Sequence, residues 1–274
     1  MHRFAGRSAI VTGASRGIGA AIAERLAAEG ANVVITARTF DHHDHLDGSL
    51  IETLERCRRY GGSVEAVVAD LGDPESRARI VPEALGHLDG RVDILVNNAA
   101  AAIYQSMLDY PAKRRSITFE VNVFAPLDLS QAVIPGMLER GEGWIVNVSS
   151  GTARPADGPP FRTDGVAARV GMYGTSKAAL NRMTNALALE LHGTGVRVNA
   201  VEPRAAVASE GAVALLGDGL DESMFESMEA MVEATLVLCD CGPDFMGRAH
   251  VSLDLIESLG IRVAGLDGRP LLQS

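Results

Sequence analysis

Tyr173-Gly-Thr-Ser-Lys177 places a phenol and an ammonium four residues apart. On a helix that spacing puts both side chains on one face. A phenol, with an ordinary pKa of about 10, is a poor acid near neutrality, and a fixed ammonium beside it favours the phenolate. Such a pair can give a proton to a substrate oxygen or take one from it. Plain solvated helix faces carry the same spacing, so the pair gains meaning only from the residues around it.

Positioning elements can be read along the chain. Ser8–Thr12 reads as a short buried strand, and Thr12-Gly-Ala-Ser-Arg-Gly-Ile-Gly19 follows it. A helical pattern then runs from Ala20 to Gly30, and a second strand covers Asn32–Thr36. Strand, glycine turn, helix and strand within about thirty residues form the context in which a glycine motif binds a dinucleotide. Gly13, Gly17 and Gly19 let the backbone approach a pyrophosphate, with Ser15, Arg16 and Ile18 between them, and the helix N-terminus favours its charge. NAD-binding versions carry a carboxylate at the end of the second strand. Ala37 and Arg38 stand there instead, and Arg16 lies in the turn. Two guanidiniums and no carboxylate favour the 2′-phosphate of NADP(H) over NAD(H).

The third strand, Val64–Val68, leads into Asp70-Leu71, at the carboxyl edge where ligands sit. Asp70 could accept from an adenine amino group or cap the helix opening near Pro74, for which Asp73 is the better cap. Val92–Val96 is the fourth strand and ends in Asn97-Asn98-Ala99-Ala100, small enough for a cofactor to pass the backbone. Helix is expected over 48–60 and over 117–140. In the second, Asn122 interrupts an apolar run and must be satisfied. Pro126 removes a donor and frees the Asn122 carbonyl, so a kink with a bound water is expected. Trp144–Val148 is a strand ending in Ser149-Ser150. Prolines and glycines make 151–172 irregular, Tyr173–His192 is helical, and Val196–Val201 is the sixth strand. An irregular stretch from Glu202-Pro203-Arg204 runs to about Asp221. A helix over 226–238 and a last strand over 249–253 complete the pattern. Alternating strands and helices imply one α/β domain over 1–274, a doubly wound parallel sheet of about seven strands. Its dinucleotide half spans 5–150 and its catalytic half 150–274.

Composition bounds the partners. The 274 residues are 47% hydrophobic, enough for a sizeable core, and carry a net charge of -10. That sign argues against nucleic acid and anionic membranes, which call for a basic face. No run of about 18 apolar residues suggests a membrane span, and Met1–Arg7 lacks the apolar core of a signal peptide. Cys57, Cys239 and Cys241 are too few for a disulfide framework, so a reducing cytoplasm is expected. Cys239 and Cys241, and the run Asp41-His-His-Asp-His45, contain metal-ligating types. A single Cys-x-Cys is a poor site, and adjacent ligands rarely converge on one ion, so no metal is expected.

Taken together, Thr12–Gly19, Asp70, Asn97-Asn98-Ala99, Asn122, Ser150, Tyr173 and Lys177 stand in the order of the short-chain dehydrogenase/reductase family, which the chain resembles over roughly residues 5 to 205. The resemblance implies hydride transfer between NADP(H) and a carbonyl or secondary alcohol. Tyr173 would be general acid or base, and Lys177 would hold the ribose hydroxyls and depress the Tyr173 pKa. Ser150, or failing it Ser149, would hydrogen-bond the substrate oxygen. Asn122 would extend a proton relay through a water. Asn98 would line the adenosine side, and Pro203 and Ala206 the nicotinamide side. A homodimer or homotetramer is the family's habit. Ser150 and Tyr173 lie farther apart than is usual in the family, so an insert containing Phe161, Arg162 and Arg169 is expected over the site. Arg204 replaces the usual glycine after Pro203, and the tail after Leu253 lacks the usual Asp-Gly-Gly turn. Those two departures motivate an alternative, a nucleotide-binding sensor or scaffold with little turnover.

Overall fold

Short runs of β-branched residues pair side by side in the computed structural model, which describes residues 2–41, 47–161, 167–209 and 225–271. Strands β1 (Ser8–Thr12), β2 (Asn32–Ala37), β3 (Val64–Val68), β4 (Ile94–Asn97), β5 (Gly143–Val148) and β6 (Val196–Glu202) are joined at one edge by Ala249–Val251. The order is β3-β2-β1-β4-β5-β6 and then Ala249–Val251, and every pairing is parallel. Successive residues point to opposite faces of a strand. Thus Val11, Val33, Val146 and Val201 enter one core, while Ile10, Val34, Ile145 and Val198 enter the other. A parallel sheet covered on both faces needs such continuous apolar runs.

Helices α1 (Gly17–Ala28) and α2 (Leu50–Arg58) cover one face, and α3 (Pro74–Ala78) and α4 (Ile80–His87) begin the other. Next come α5 (Ala112–Phe119), α6 (Ala125–Arg140) and α7 (Gly171–Glu190), which starts two residues before the expected Tyr173. Two-residue strands β7 (Ala206–Val207) and β8 (Phe225–Glu226) pair with each other, and α8 (Met228–Leu238) follows. The sequence suggests helix from 226. It begins later because the Ser227 hydroxyl caps it, accepting from the Ala230 N–H, while Glu226 is strand. The last strand, β9, stops at Val251, short of the expected Leu253. Ser252–Leu259 is helix α9, whose Ser252, Leu255 and Ile256 are buried at helical spacing and which ends on left-handed Gly260.

Between α5 and α6 the chain makes a π-turn over Glu120–Phe124, closed by a bond from the Ala125 N–H to the Glu120 carbonyl. Pro126, lacking an N–H, explains why the α-ladder is interrupted here. The continuous helix from Ala112 to Arg140 is long and apolar enough to cross a membrane on length and composition alone, a feature the run of side chains did not suggest. Its inner face, with Leu129, Val133 and Met137, is core packing against the sheet.

Candidate active site

Parallel strands send their carboxyl ends to one edge, and the chemistry-bearing residues gather there. Ser150 follows β5, Pro203 follows β6, and Tyr173 lies in the first turn of α7. Tyr173 is 9% exposed and Lys177 2% exposed, so both have left bulk water. Ser150 lies near enough to the Tyr173 hydroxyl to oppose the rise of its pKa. The neighbouring Ser149 is instead buried at the strand end, its N–H on the Val201 carbonyl at 2.7 Å and its hydroxyl without a hydrogen-bond partner. It is therefore Ser150 that faces the tyrosine. Its hydroxyl accepts from the Thr152 hydroxyl at 2.9 Å.

Lys177 differs from what the sequence suggests. Its ammonium donates to the Val148 carbonyl at 2.7 Å and lies 5.8 Å from the centre of the Tyr173 ring. Burial pulls its pKa down to about 8. Burial also pushes the Tyr173 hydroxyl well above the ordinary phenol value, with Tyr104 adding to the rise and only Ser150 opposing it. The expected depression of the Tyr173 pKa by Lys177 is thus not met in this arrangement: desolvation outweighs every nearby charge.

Asn122 is fully buried in the π-turn. Its side-chain oxygen accepts from the Ala101 N–H at 2.7 Å, and its amide donates to the Ala101 carbonyl at 3.2 Å and the Ser176 hydroxyl at 2.9 Å. Ser176 in turn donates to the Tyr173 carbonyl at 2.6 Å. One polar strut therefore joins the loop after β4, the π-turn and helix α7. Tyr104 was missed by sequence reasoning. Its ring lies 5.7 Å from that of Tyr173 at a tilt of 58°, and its own pKa is raised by burial. An aromatic after Asn97-Asn98-Ala99-Ala100 was the available signal, but only folding brings it to α7.

The glycine turn occupies the same edge. Gly13 and Gly17 have φ of +66° and +56°, and a Cβ on Gly13 would meet Ala99 at 2.7 Å. Asn98 holds the turn in place, its amide donating to the Thr12 and Gly13 carbonyls at 2.9 and 3.2 Å. Side chains of Ser49, Asp73 and Ser227 cap α2, α3 and α8, whereas α1, like α4, α5, α6, α7 and α9, starts with no side-chain cap. The first N–H groups of a helix have no intrahelical partner. Those of Gly17, Ile18 and Gly19 are thus presented beside Ser15 at a turn with the room and dipole for a pyrophosphate.

Other candidates fall less simply. Arg16 turns its guanidinium onto the Asp47 and Gly48 carbonyls at 2.8 and 3.0 Å, closing a polar crevice of about 280 Å³ that also contains Arg56 and Arg59. Its guanidinium is therefore engaged by its own loop. Arg38, one residue beyond β2, is exposed, and among the described residues no hydrogen bond or ion pair engages it. Asp73 caps α3, while the exposed Asp70 carboxylate accepts from the Gly72 N–H at 2.9 Å and its backbone N–H donates to the Ser76 hydroxyl at 3.0 Å; Leu71 beside it is buried. A Cβ on Gly151 would lie 3.9 Å from the Pro203 carbonyl, and Ala206 is in β7. The Arg204 side chain points away from the site, to Asp254 at 2.7 Å and Glu257 at 2.7 and 2.9 Å. Arg169 is exposed, and its carbonyl accepts from the Gln105 N–H at 2.9 Å; Phe161 is 58% exposed. Arg162, and His42 to His45 of the histidine run, lie outside the described residues. Cys57, Cys239 and Cys241 are buried thiols, and burial raises Cys57 to about 12 and Cys241 to about 11.

A parallel sheet with a glycine turn at one end of its first strand and a Ser-Tyr-Lys cluster at the same edge is the architecture of a dinucleotide-binding α/β domain. Residues 7–213 match the family described as short chain dehydrogenase. The chain belongs to that family. It is 31% identical over 280 residues to hydroxysteroid dehydrogenase-like protein 2 of Bos taurus, an alignment covering 98% of this chain and 63% of that protein. The chain therefore spans less than two thirds of that relative. It is 38% identical to L-xylulose reductase of Homo sapiens over 209 residues, 76% of this chain and 75% of the relative. Among solved structures, a Beutenbergia cavernae protein described as an NAD(P) dependent gluconate 5-dehydrogenase, with NADP at low occupancy, superposes with a TM-score of 0.75 at 33% identity. That match covers 90% of this chain and 95% of the other.

Proposed function

We propose that this protein is an NADP(H)-dependent dehydrogenase or reductase acting on a carbonyl or secondary alcohol. The observation that carries the reading is the cluster of half-buried Ser150 with buried Tyr173 and Lys177 at the sheet's carboxyl edge, where α1 also begins. The nicotinamide supplies the hydride acceptor or donor. Tyr173 gives a proton to the carbonyl oxygen in reduction and takes it back in oxidation. Ser150 holds the same oxygen and steadies developing negative charge in a site shielded from water. Lys177 holds the ribose hydroxyls and supplies positive charge near Tyr173. Asn122, whose carbonyl Pro126 leaves without its usual amide, extends the path by which the proton is replaced. Gly13 to Gly19 and Asn98 cradle the pyrophosphate and adenosine, Asp70 and Leu71 flank the adenine, and Pro203 and Ala206 border the nicotinamide.

The choice of NADP(H) is supported by the exposed Arg38 after β2 and by the lack of a carboxylate at Ala37. Arg16 places a second guanidinium within the glycine turn itself. Apolar side chains left exposed on α6 and α7, Leu138 and Leu189, fit a homodimer or homotetramer, and the three free thiols fit a reducing cytoplasm.

NADPH oxidation is to be followed across a panel of ketones and aldehydes, in wild type and Tyr173→Phe. Loss of the phenol should lower turnover by about 10²–10⁴-fold with NADPH still bound. Turnover indifferent to that change would remove Tyr173 from the mechanism.

A further inference from the structure

The segment after β6 carries Pro203-Arg204 where a glycine would leave the backbone free to settle against a cofactor, and it is held by a residue far along the chain. Glu226, on β8, is 6% exposed. One of its oxygens accepts from the Arg204 N–H at 2.8 Å and from the Ala205 N–H at 3.4 Å. The Ser252 hydroxyl, in the first turn of α9, donates to the two carboxylate oxygens at 2.7 and 2.8 Å, and the Arg204 N–H also reaches the Ser252 oxygen at 3.2 Å. Pairing of Ala206 with Phe225 and of Val207 with Glu226 continues the attachment. The Arg204 side chain adds a second tie to α9 through Asp254 and Glu257. Those two carboxylates are 63% and 65% exposed, so water and salt screen that tie. The weight falls on the buried carboxylate.

We propose that Glu226 is a positioning residue for the nicotinamide half of the cofactor site, fixing the backbone of 203–206 against Gly151 and hence beside Ser150. The inference rests on the reading above that Pro203 and Ala206 border the nicotinamide. Glu226 meets no reacting atom: it acts through the two N–H groups it holds. Without it the Ala205 N–H loses its acceptor and the Arg204 N–H keeps only the longer contact to Ser252, and the wall beside Ser150 relaxes. The adenine half, bound some four strands away across the sheet at the ends of β1, β2 and β3, does not depend on it.

Titrations of the full chain with NADPH and with 2′,5′-ADP, which carries the adenine half alone, separate the two halves. Glu226→Ala should weaken NADPH about tenfold, the loss expected when charge-assisted hydrogen bonds go, and leave 2′,5′-ADP within about twofold. Glu226→Gln, which keeps one acceptor oxygen for the two N–H groups, should recover most of the loss. Should Glu226→Ala fold poorly, Ser252→Ala should show the same selective weakening to a smaller degree. Equal weakening of both ligands would make Glu226 a general structural residue and overturn the proposal, as would unchanged NADPH binding. Wild type that binds neither ligand would refute the cofactor reading itself, whereas wild type that binds both while Glu226→Ala is indifferent refutes only the positioning role.

Discussion

Replacing Lys177 by methionine should make the protein more stable and less active. Lys177 is 2% exposed, and its one hydrogen bond runs to the Val148 carbonyl. Burial sets its folded pKa at about 8, against 10.5 when free. At about 1.4 kcal/mol per pKa unit, that gap is a cost of about 3 kcal/mol for keeping the ammonium inside at pH 7. Methionine has a similar length and no charge, so it removes this cost. It forfeits the hydrogen bond to Val148, a loss of about 1.5–3 kcal/mol for a charged donor. The balance is a net gain of up to about 1–2 kcal/mol at pH 7, which burial of a thioether chain assists.

The pH dependence carries the sign. Below about 8 the lysine is charged in folded and unfolded chains, and its cost is fully present. Between 8 and 10.5 the unfolded chain binds more protons, so wild-type stability rises with pH. Tyr173, raised above 10 by burial, works the other way: above 10 the unfolded phenol ionises first and stability falls. Urea unfolding at pH 7, 8, 9 and 10 should therefore show wild type gaining up to about pH 10, with Lys177→Met flat over the same window. Turnover should be lost throughout. A variant less stable than wild type by more than about 1 kcal/mol at pH 7, or a wild type indifferent to pH from 8 to 10, would refute the idea that Lys177 is held at a cost for function.

Asn122→Ala should cost about 1–3 kcal/mol by leaving the Ala101 N–H unsatisfied, read as a lower urea midpoint, and should also slow turnover because the strut to Ser176 is cut. Gly48 has φ of +95°, and a Cβ there would lie 2.7 Å from the Ser15 carbonyl, so Gly48→Ala should cost about 1–3 kcal/mol and weaken dinucleotide binding by pressing on the phosphate turn. Thermal unfolding and NADPH fluorescence titration read the two effects. Arg38→Ala should weaken NADPH about tenfold and leave NADH unchanged; a wild type that binds NADH the more tightly would contradict the 2′-phosphate argument.

Much of the frame was legible in one dimension because its causes are local. Continuous apolar runs such as Ala9-Ile-Val11 and Val33–Ile35 announce strands buried on both faces, and the seven-stranded parallel sheet follows from their alternation with helices. The turn from Gly13 to Gly19 and the spacing of Tyr173 and Lys177 depend on residues within a few positions of one another. Boundaries failed where a cap or a distant contact decided them, at Ser227 and at Ser252. Residue type also gave no guide to where long side chains spend their hydrogen bonds. Arg16 is drawn to the Asp47 and Gly48 carbonyls, and Arg204 to a helix fifty residues on.

The sequence by itself determined the parallel sheet, the glycine turn and the set of groups that could move a proton, because periodicity and short spacings act between neighbours. Tertiary structure alone decided the electrostatics and the exact neighbours of Tyr173. Desolvation depends on what packs around a group, so only the fold could show that burial raises Tyr173 and lowers Lys177. Contacts between Tyr104 and Tyr173, and between Glu226 and the backbone after β6, join residues far apart in the chain, and no local pattern encodes which distant strand or loop will meet them.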